Sequence, residues 1–311
     1  MLISQKEWED AFKGTFSGDA EFSMPMKNHT SLGIGGPADV MVSPADPMSL
    51  KNIVLMLKKK NIPFLPLGGG TNILVKDSGL DGVVINFKAF RMMQVIREEG
   101  HDVELFVEAG VPLQMLVNFC KEKGYAGIEG LTGIPGTFGG AICGNAGSYG
   151  CEIKDVVKSV VLMSSEGKLD RIDAKGLGFG YRRSGIRPAD IVLNANILLH
   201  KDDKDLIAGR AQKYLAEKMK TQPISARSAG CVFKNPAAGS AESAGKLIEE
   251  AGCKGMKAGN IEVSRVHANF FVNSGNGTAS DYIKLMHEVS LIVEKKFGVV
   301  LEPEIRVIGR G

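Results

Sequence analysis

No stretch of eighteen apolar residues occurs anywhere in the 311-residue chain, so a membrane-spanning helix is not expected. Charge of one sign is scarce as well. The formal net charge is +3, Lys and Arg are scattered, and no block of five or more like charges appears. That leaves little for a nucleic acid or an acidic membrane surface to grip, and neither is expected as a partner. The five Cys, at positions 120, 143, 151, 231 and 253, form no C-x-x-C pair, so a zinc site or thioredoxin-type motif is unsupported and no metal is expected. The first ten residues lack the order of a signal peptide, and an odd number of Cys fits reduced thiols. These absences lead to the expectation of a cytoplasmic protein, taken here as a monomer.

Two nucleotide motifs are missing too. No G-x-G-x-x-G stands between a strand and a helix; the nearest approach, Gly33-Ile34-Gly35-Gly36, runs into Pro37. A Rossmann dinucleotide site is therefore not expected. The stretch from Gly239 to Leu247 has five residues between its glycines, and Leu247 stands where Ser or Thr would hold magnesium, so it is no phosphate loop.

Glycine is what the chain has in quantity. There are 39, concentrated at 33–36, 68–70 and 124–150. Hydrophobic residues make up 44% and charged residues 23%, as in ordinary globular proteins. A short helical leader is expected over residues 1–21. The strands expected next are 39–42, 64–67, 73–75 and 83–86. Asp46-Pro47 opens a helix whose apolar face is Leu50, Ile53, Val54 and Leu57. A second, sheet-rich unit begins near 89. Its strands are 103–109, 156–163, 168–173 and 191–200, and its helix starts at Pro112 and stops at Gly124. A third unit begins near 205, with helices over 206–219, 244–251 and 279–297 and strands over 268–273 and 299–308. The fold class expected is α+β.

Two glycine loops carry chemistry. Leu67-Gly68-Gly69-Gly70-Thr71-Asn72 sits between strands, where successive backbone N–H groups can nest a phosphate. Gly130 to Gly150 holds eight glycines and no charged residue. A solvated loop would carry more Ser, Asp or Lys; this composition suits backbone packed against a large, flat, buried ligand.

Together the loops resemble the FAD-binding domain of the vanillyl-alcohol-oxidase superfamily. Within it, seven pieces in order resemble the UDP-N-acetylenolpyruvoylglucosamine reductase family, in its shorter subtype. They are Asn28 to Asp39, the two loops, Gly180-Tyr181-Arg182-Arg183-Ser184, Ser228 to Pro236, Val263 to Asn273, and Leu301 to Arg306. The resemblance implies a two-part FAD-binding domain (1–88 and 89–204), an α/β substrate-binding domain (205–300), and a C-terminal strand (301–311) returning to the active site. It implies non-covalent FAD held by Gly68, Gly69, Gly70, Thr71, Asn72, Gly133, Ile134, Pro135, Gly136, Thr137, Gly139, Gly140, Asn145, Ala146 and Gly147. NADPH is the implied reductant, borrowing the cleft of the sugar-nucleotide substrate.

The implied reaction is a conjugate reduction. Hydride adds to the terminal methylene of an enolpyruvyl ether, negative charge builds toward the carboxylate, and a proton then reaches the carbon bearing that carboxylate. Arg182 is the family's match for the carboxylate-binding cation, with Arg183 and Arg187 as nearby rivals. Gly185-Ile186-Arg187 departs from the apolar pair usual in the family. Glu304 matches the second catalytic position, and it must be protonated or paired to help a developing enolate. Cys231 stands where the family has Ser or, less often, Cys. A thiol, with an ordinary pKa of ~8.5, is a better proton donor than a hydroxyl. Tyr181, Lys234, Asn235 and His267 are the expected substrate contacts.

Overall fold

The computed structural model describes residues 5–236 and 242–310. Residues 1–4 of the expected leader and Gly239 of the rejected phosphate loop lie outside them. The chain divides into two compact units. One comprises residues 1–24, 39–69 and 82–215; the other comprises 25–38, 70–81 and 216–311.

The first unit holds two sheets. A four-stranded sheet has the order Gly18–Pro25, Pro37–Pro44, Leu80–Asn86, Phe64–Leu67, its last pair parallel. The helix Pro47–Lys59 covers it. Asp46 accepts the Ser49 N–H at 2.8 Å, a Pro occupies the first turn, and Leu50, Ile53, Val54 and Leu57 are fully buried, as the spacing predicts. The larger sheet is antiparallel, ordered Leu169–Asp173, Val157–Met163, Ile191–Lys201, Asp102–Glu108, Met93–Glu99, with Tyr125–Ala126 paired to the end of the long strand. Val103, Leu105 and Val107 alternate inward and are fully buried. The helix Leu113–Lys123 packs Leu113, Leu116, Val117 and Cys120 into the same core, and Gly124 closes it at φ +79°.

In the second unit, a three-stranded antiparallel sheet is ordered Lys257–Ala258, Ile261–Val263, Phe271–Asn273. The helices Ala244–Glu250 and Ala279–Phe297 share its core. Thr278 and Asp281 form a capping box at the start of the long helix. Asp77 reaches over from the 70–81 segment and accepts the N–H groups of Ala279 and Ser280. Ile73–Val75 pairs in parallel with Arg306–Ile308, tying chain positions more than two hundred residues apart.

Several expectations change. Part of the expected leader is strand: a helix spans Gln5–Phe12, and Gly18–Pro25 then joins the first sheet. The strand Met93–Glu99 is a largely exposed edge whose Met93 and Val95 pack partly against the core, too short an alternation to mark it in the sequence. The last strand is only Arg306–Ile308; Pro303 has no N–H to continue a ladder through 299–305. The glycine loop contains a short helix, Phe138–Cys143, capped by the Thr137 side chain. No helix of the described residues is long and apolar enough to cross a membrane.

Candidate active site

In the first unit a cavity of about 310 Å³ is lined by Leu67, Gly68, Gly69, Asn86, Phe87, Lys88, Arg91, Gly110, Pro112, Gly136 and Thr137. Its walls need glycine. A Cβ on Gly68 would lie 2.4 Å from Thr137 Oγ1, and one on Gly110 would lie 2.0 Å from the Phe87 carbonyl oxygen. The loop is stitched to 109–113 by backbone bonds: Phe138 N–H to Val111 O, Gly139 N–H to Ala109 O, and Leu113 N–H to Gly136 O, at 2.8–3.0 Å. Gln114 organises the turn above. Its amide donates to the Leu131 and Ile134 carbonyls and accepts the Gly133 N–H at 2.7 Å, while Gly133 adopts φ +78°.

Whether FAD suits this cavity turns on its donors. Glycine backbone at Gly68, Gly69, Gly110 and Gly136, with Lys88 and Arg91 exposed among the lining residues, is the kind of lining that offers N–H groups and positive charge to a diphosphate. Lys88 is also paired with Asp19 at 2.8 Å. These residues fit FAD. Gly68, Gly69, Gly136 and Thr137 were legible as glycine-loop positions. Asn86, Phe87, Lys88, Arg91, Gly110 and Pro112 were not, since they come from two strand ends and a helix start that only the fold brings together.

Tyr181 and Arg182 occupy the two central positions of a tight turn closed by Gly180 and Arg183. The Gly180 N–H donates to Arg183 O at 3.0 Å and the Arg183 N–H to Gly180 O at 3.2 Å. Arg182 has φ +54°, a left-handed conformation unusual outside Gly and Asn. Its guanidinium carbon lies 5.3 Å from the centre of the exposed Tyr181 ring. Asn145, with φ +42°, is fully buried; its amide donates to Gly180 O and accepts the Lys154 N–H. Ala146 and Gly147 continue that turn, and a Cβ on Gly147 would fall 2.8 Å from Cys151 O.

The second unit gathers the remaining expected residues around one irregular segment. Cys231 bridges Phe270, and Phe233 bridges Pro303. The Val232 carbonyl accepts the Glu304 N–H at 2.8 Å, and the Lys234 N–H donates to Glu302 O at 2.8 Å. Glu304 and Cys231 are both half-buried and flank the same short ladder. The Lys234 ammonium pairs with the Glu302 carboxylate. Asn235 Oδ1 accepts the Ala244 N–H at 3.0 Å, capping toward the helix that follows. Asn72 joins from the 70–81 segment, its amide donating to Glu304 O and its carbonyl accepting the Arg306 N–H, both at 3.2 Å. Gly70, beside it, has φ +62° and no room for a Cβ, which would meet His29 O at 1.9 Å.

His267 stacks edge-to-face on Phe270 at 4.9 Å, and its Nδ1 accepts the Asn269 N–H at 3.2 Å. Burial, followed by the nearby Lys254 charge, holds its pKa below the ordinary value, so the ring is neutral near pH 7. Asn269 was missed from sequence. It is buried, and its amide brackets Phe233, accepting from the N–H at 2.9 Å and donating to the carbonyl at 2.7 Å. Nothing in its spacing marks it, because its partner is 36 residues away.

Two family models match the chain. One, described as UDP-N-acetylenolpyruvoylglucosamine reductase, C-terminal domain, covers residues 222–308. The other, an FAD binding domain, covers 38–173. The UDP-N-acetylenolpyruvoylglucosamine reductase of Desulfosudis oleivorans is 38% identical over 303 residues, spanning 95% of this chain and 96% of that one. Among solved structures, UDP-N-acetylenolpyruvylglucosamine reductase from Thermus caldophilus superposes with a TM-score of 0.78 at 33% identity, covering 94% of this chain and 98% of that chain. Physcomitrella patens BBE-like 1 shares the fold alone, with a TM-score of 0.50 and 18% identity over 62% of this chain and 44% of that one.

Proposed function

Because the chain belongs to the UDP-N-acetylenolpyruvoylglucosamine reductase family, we infer from its geometry how its own residues divide the work. The protein is an FAD-dependent oxidoreductase that reduces UDP-N-acetylenolpyruvoylglucosamine to UDP-N-acetylmuramate at the expense of NADPH, in peptidoglycan precursor synthesis. FAD, when bound, supplies the hydride that it takes from NADPH. Gly68, Gly69, Gly136 and Thr137 would hold it, and Lys88 and Arg91, which line the same cavity, would supply positive charge for its diphosphate. We assign 1–88 and 89–204 to FAD binding, 205–300 to the substrate, and 301–311 to the C-terminal segment that carries the chain back. Monomeric state and a cytoplasmic location complete the proposal.

Arg182 grips the substrate carboxylate with its planar fork and neutralises charge as the enolate forms. Glu304 works as the neutral acid, donating a hydrogen bond where a carboxylate would repel. Cys231 gives its proton to the carbon bearing the carboxylate, and its sulfur keeps the electron pair of the broken S–H bond. Lys234, Asn235, Tyr181 and His267 bind the sugar-nucleotide. The observation that supports this division is the short ladder in the second unit. The Val232 carbonyl accepts the Glu304 N–H, so the segments that carry the candidate acid and the candidate proton donor are hydrogen-bonded to each other.

Stopped-flow kinetics of the two half-reactions tests it. Arg182→Ala is expected to leave flavin reduction by NADPH near the wild-type rate and to slow reoxidation by the enolpyruvyl substrate about 10²-fold. Cys231→Ala is expected to block product formation, while Cys231→Ser keeps part of the activity. A structural thiol predicts the opposite order, with Ala tolerated at least as well as Ser. Wild-type reoxidation in Cys231→Ala would remove that residue from the mechanism.

A further inference from the structure

The turn that carries Arg182 does not hold its shape unaided. A non-glycine residue in the left-handed region costs about 1–3 kcal/mol and persists only where its surroundings over-determine it. The turn's own closure consists of two backbone bonds, at 3.0 and 3.2 Å. Two further ties come from outside, and both end on the glycine-rich 138–147 segment. Asn145 Nδ2 donates to the Gly180 carbonyl at 2.9 Å, filling its second lone pair beside the bond from the Arg183 N–H. Ser184 Oγ donates to the Cys143 carbonyl at 2.8 Å on the other flank of Arg182.

Asn145 is specialised for this. It is completely buried, its Oδ1 accepts the Lys154 N–H at 3.2 Å, and its own backbone lies at φ +42°. Few side chains tolerate that backbone conformation, and Asn is one of them. An apolar replacement would be strained and would leave the Gly180 carbonyl and the Lys154 N–H short of a partner. The direction of the amide matters as much. Both its hydrogen bonds go to the protein chain, so the side chain's work in this structure is to link two loops.

We propose that Asn145, seconded by Ser184, is a positioning residue for the reduction: it fixes the strained Gly180–Arg183 turn and thereby sets where the Arg182 guanidinium stands. The proposal rests on the role assigned to Arg182 above. A guanidinium must meet a carboxylate in one geometry, and a misplacement of about 1 Å can cost on the order of 10²-fold in rate.

The test is a double-mutant cycle on the FAD-loaded enzyme, read by stopped flow. Asn145→Gly keeps the left-handed backbone and deletes the amide. Reoxidation by the enolpyruvyl substrate is expected to slow by about 10- to 100-fold more than flavin reduction by NADPH does, the latter being the control for the FAD contact that the resemblance also implies for Asn145. With Arg182→Ala already present, adding Asn145→Gly is expected to change reoxidation by less than about two-fold, because the placement of the guanidinium no longer counts. Ser184→Ala, which removes the outer tie, is expected to slow reoxidation by about 3-fold or more with the same non-additivity, and it decides the matter if Asn145→Gly yields no folded holoenzyme. Equal slowing in both backgrounds, equal slowing of both half-reactions, or loss of flavin would overturn the proposal, as would wild-type reoxidation. If Arg182→Ala alone reoxidises normally, the reading of Arg182 fails and takes this inference with it. A slow Arg182→Ala with additive partners removes the inference alone.

Discussion

The stretch 130–150 of the first unit and the stretch 228–236 of the second both run largely outside regular sheets and helices, yet they are secured by opposite means. In the first, backbone lies against backbone. A Cβ on Gly130 would come within 2.7 Å of Ser148 O, and one on Gly139 within 2.7 Å of Ala109 Cβ. In the second the only glycine is Gly230, and a Cβ there would meet nothing within 4 Å. That segment is instead clasped by the Asn269 side chain and by short ladder bonds to 302–304. The difference predicts which substitutions hurt. The first stretch is broken by adding atoms, the second by deleting them.

The largest effect is expected at the clasp. Asn269→Ala strips both bonds from Phe233 and leaves its buried N–H and carbonyl unsatisfied, which should cost about 2–5 kcal/mol in denaturant unfolding. A loss below about 0.5 kcal/mol would mean that the ladder bonds suffice and that the contrast drawn here is false. Gly230→Ala nearby should cost only the strain of its φ +76° backbone, about 1–2 kcal/mol.

Two adjacent glycines sharpen the other half of the comparison. Gly139→Ala has no room and should destabilise by about 1–3 kcal/mol. Gly140→Ala, whose Cβ would meet only Thr137 Oγ1 at 3.5 Å, sits in the same short helix and should be neutral or gain up to about 1 kcal/mol in the protein without flavin. If Gly140 is there so that backbone can approach FAD, its alanine variant should still bind flavin more weakly. Thermal melts with and without added FAD separate the two reasons.

The smallest effect concerns charge. Glu129, at the entrance to the first stretch, accepts from the Arg210 guanidinium at 2.7 Å and from the Gly127 N–H at 2.7 Å. Burial alone would raise its pKa. The Arg210 guanidinium and the backbone N–H groups of Glu129 and Gly127 together outweigh that and hold it below the usual carboxylate value. A lowered folded pKa contributes stability that is present above the ordinary carboxylate range, ~4.3, and is lost as pH falls through the folded value. Glu129→Gln should therefore melt lower than wild type at pH 7, by less than about 1 kcal/mol given the half-open Arg210, and the gap should close below pH ~4. A gap that widens in acid would reverse the sign argued here.

Much of the outline was legible because it depends on neighbours in the chain. The spacing of Leu50, Ile53, Val54 and Leu57, the Asp46-Pro47 start, and the Gly124 stop are local chemistry, and each appears in the fold where its residues place it. The glycine loops were legible for a related reason. Where a Cβ has no space only glycine serves, at positive φ it is strongly favoured, and its clustering survives in the sequence. The strand Met93–Glu99 left only a faint mark, since a largely exposed edge strand needs little apolar face beyond Met93 and Val95.

The sequence by itself determined many of the elements, the glycine-rich stretches and, through ordered motifs, the family. Tertiary structure alone decided who meets whom. It brought Ile73–Val75 beside Arg306–Ile308 and set Glu304 against Val232. It placed Asn269 around Phe233, and Asn145 under the turn of Arg182. The reason is physical. A hydrogen bond between residues 36 or 232 positions apart leaves no periodicity in the chain, so its partners are known only once the core has folded.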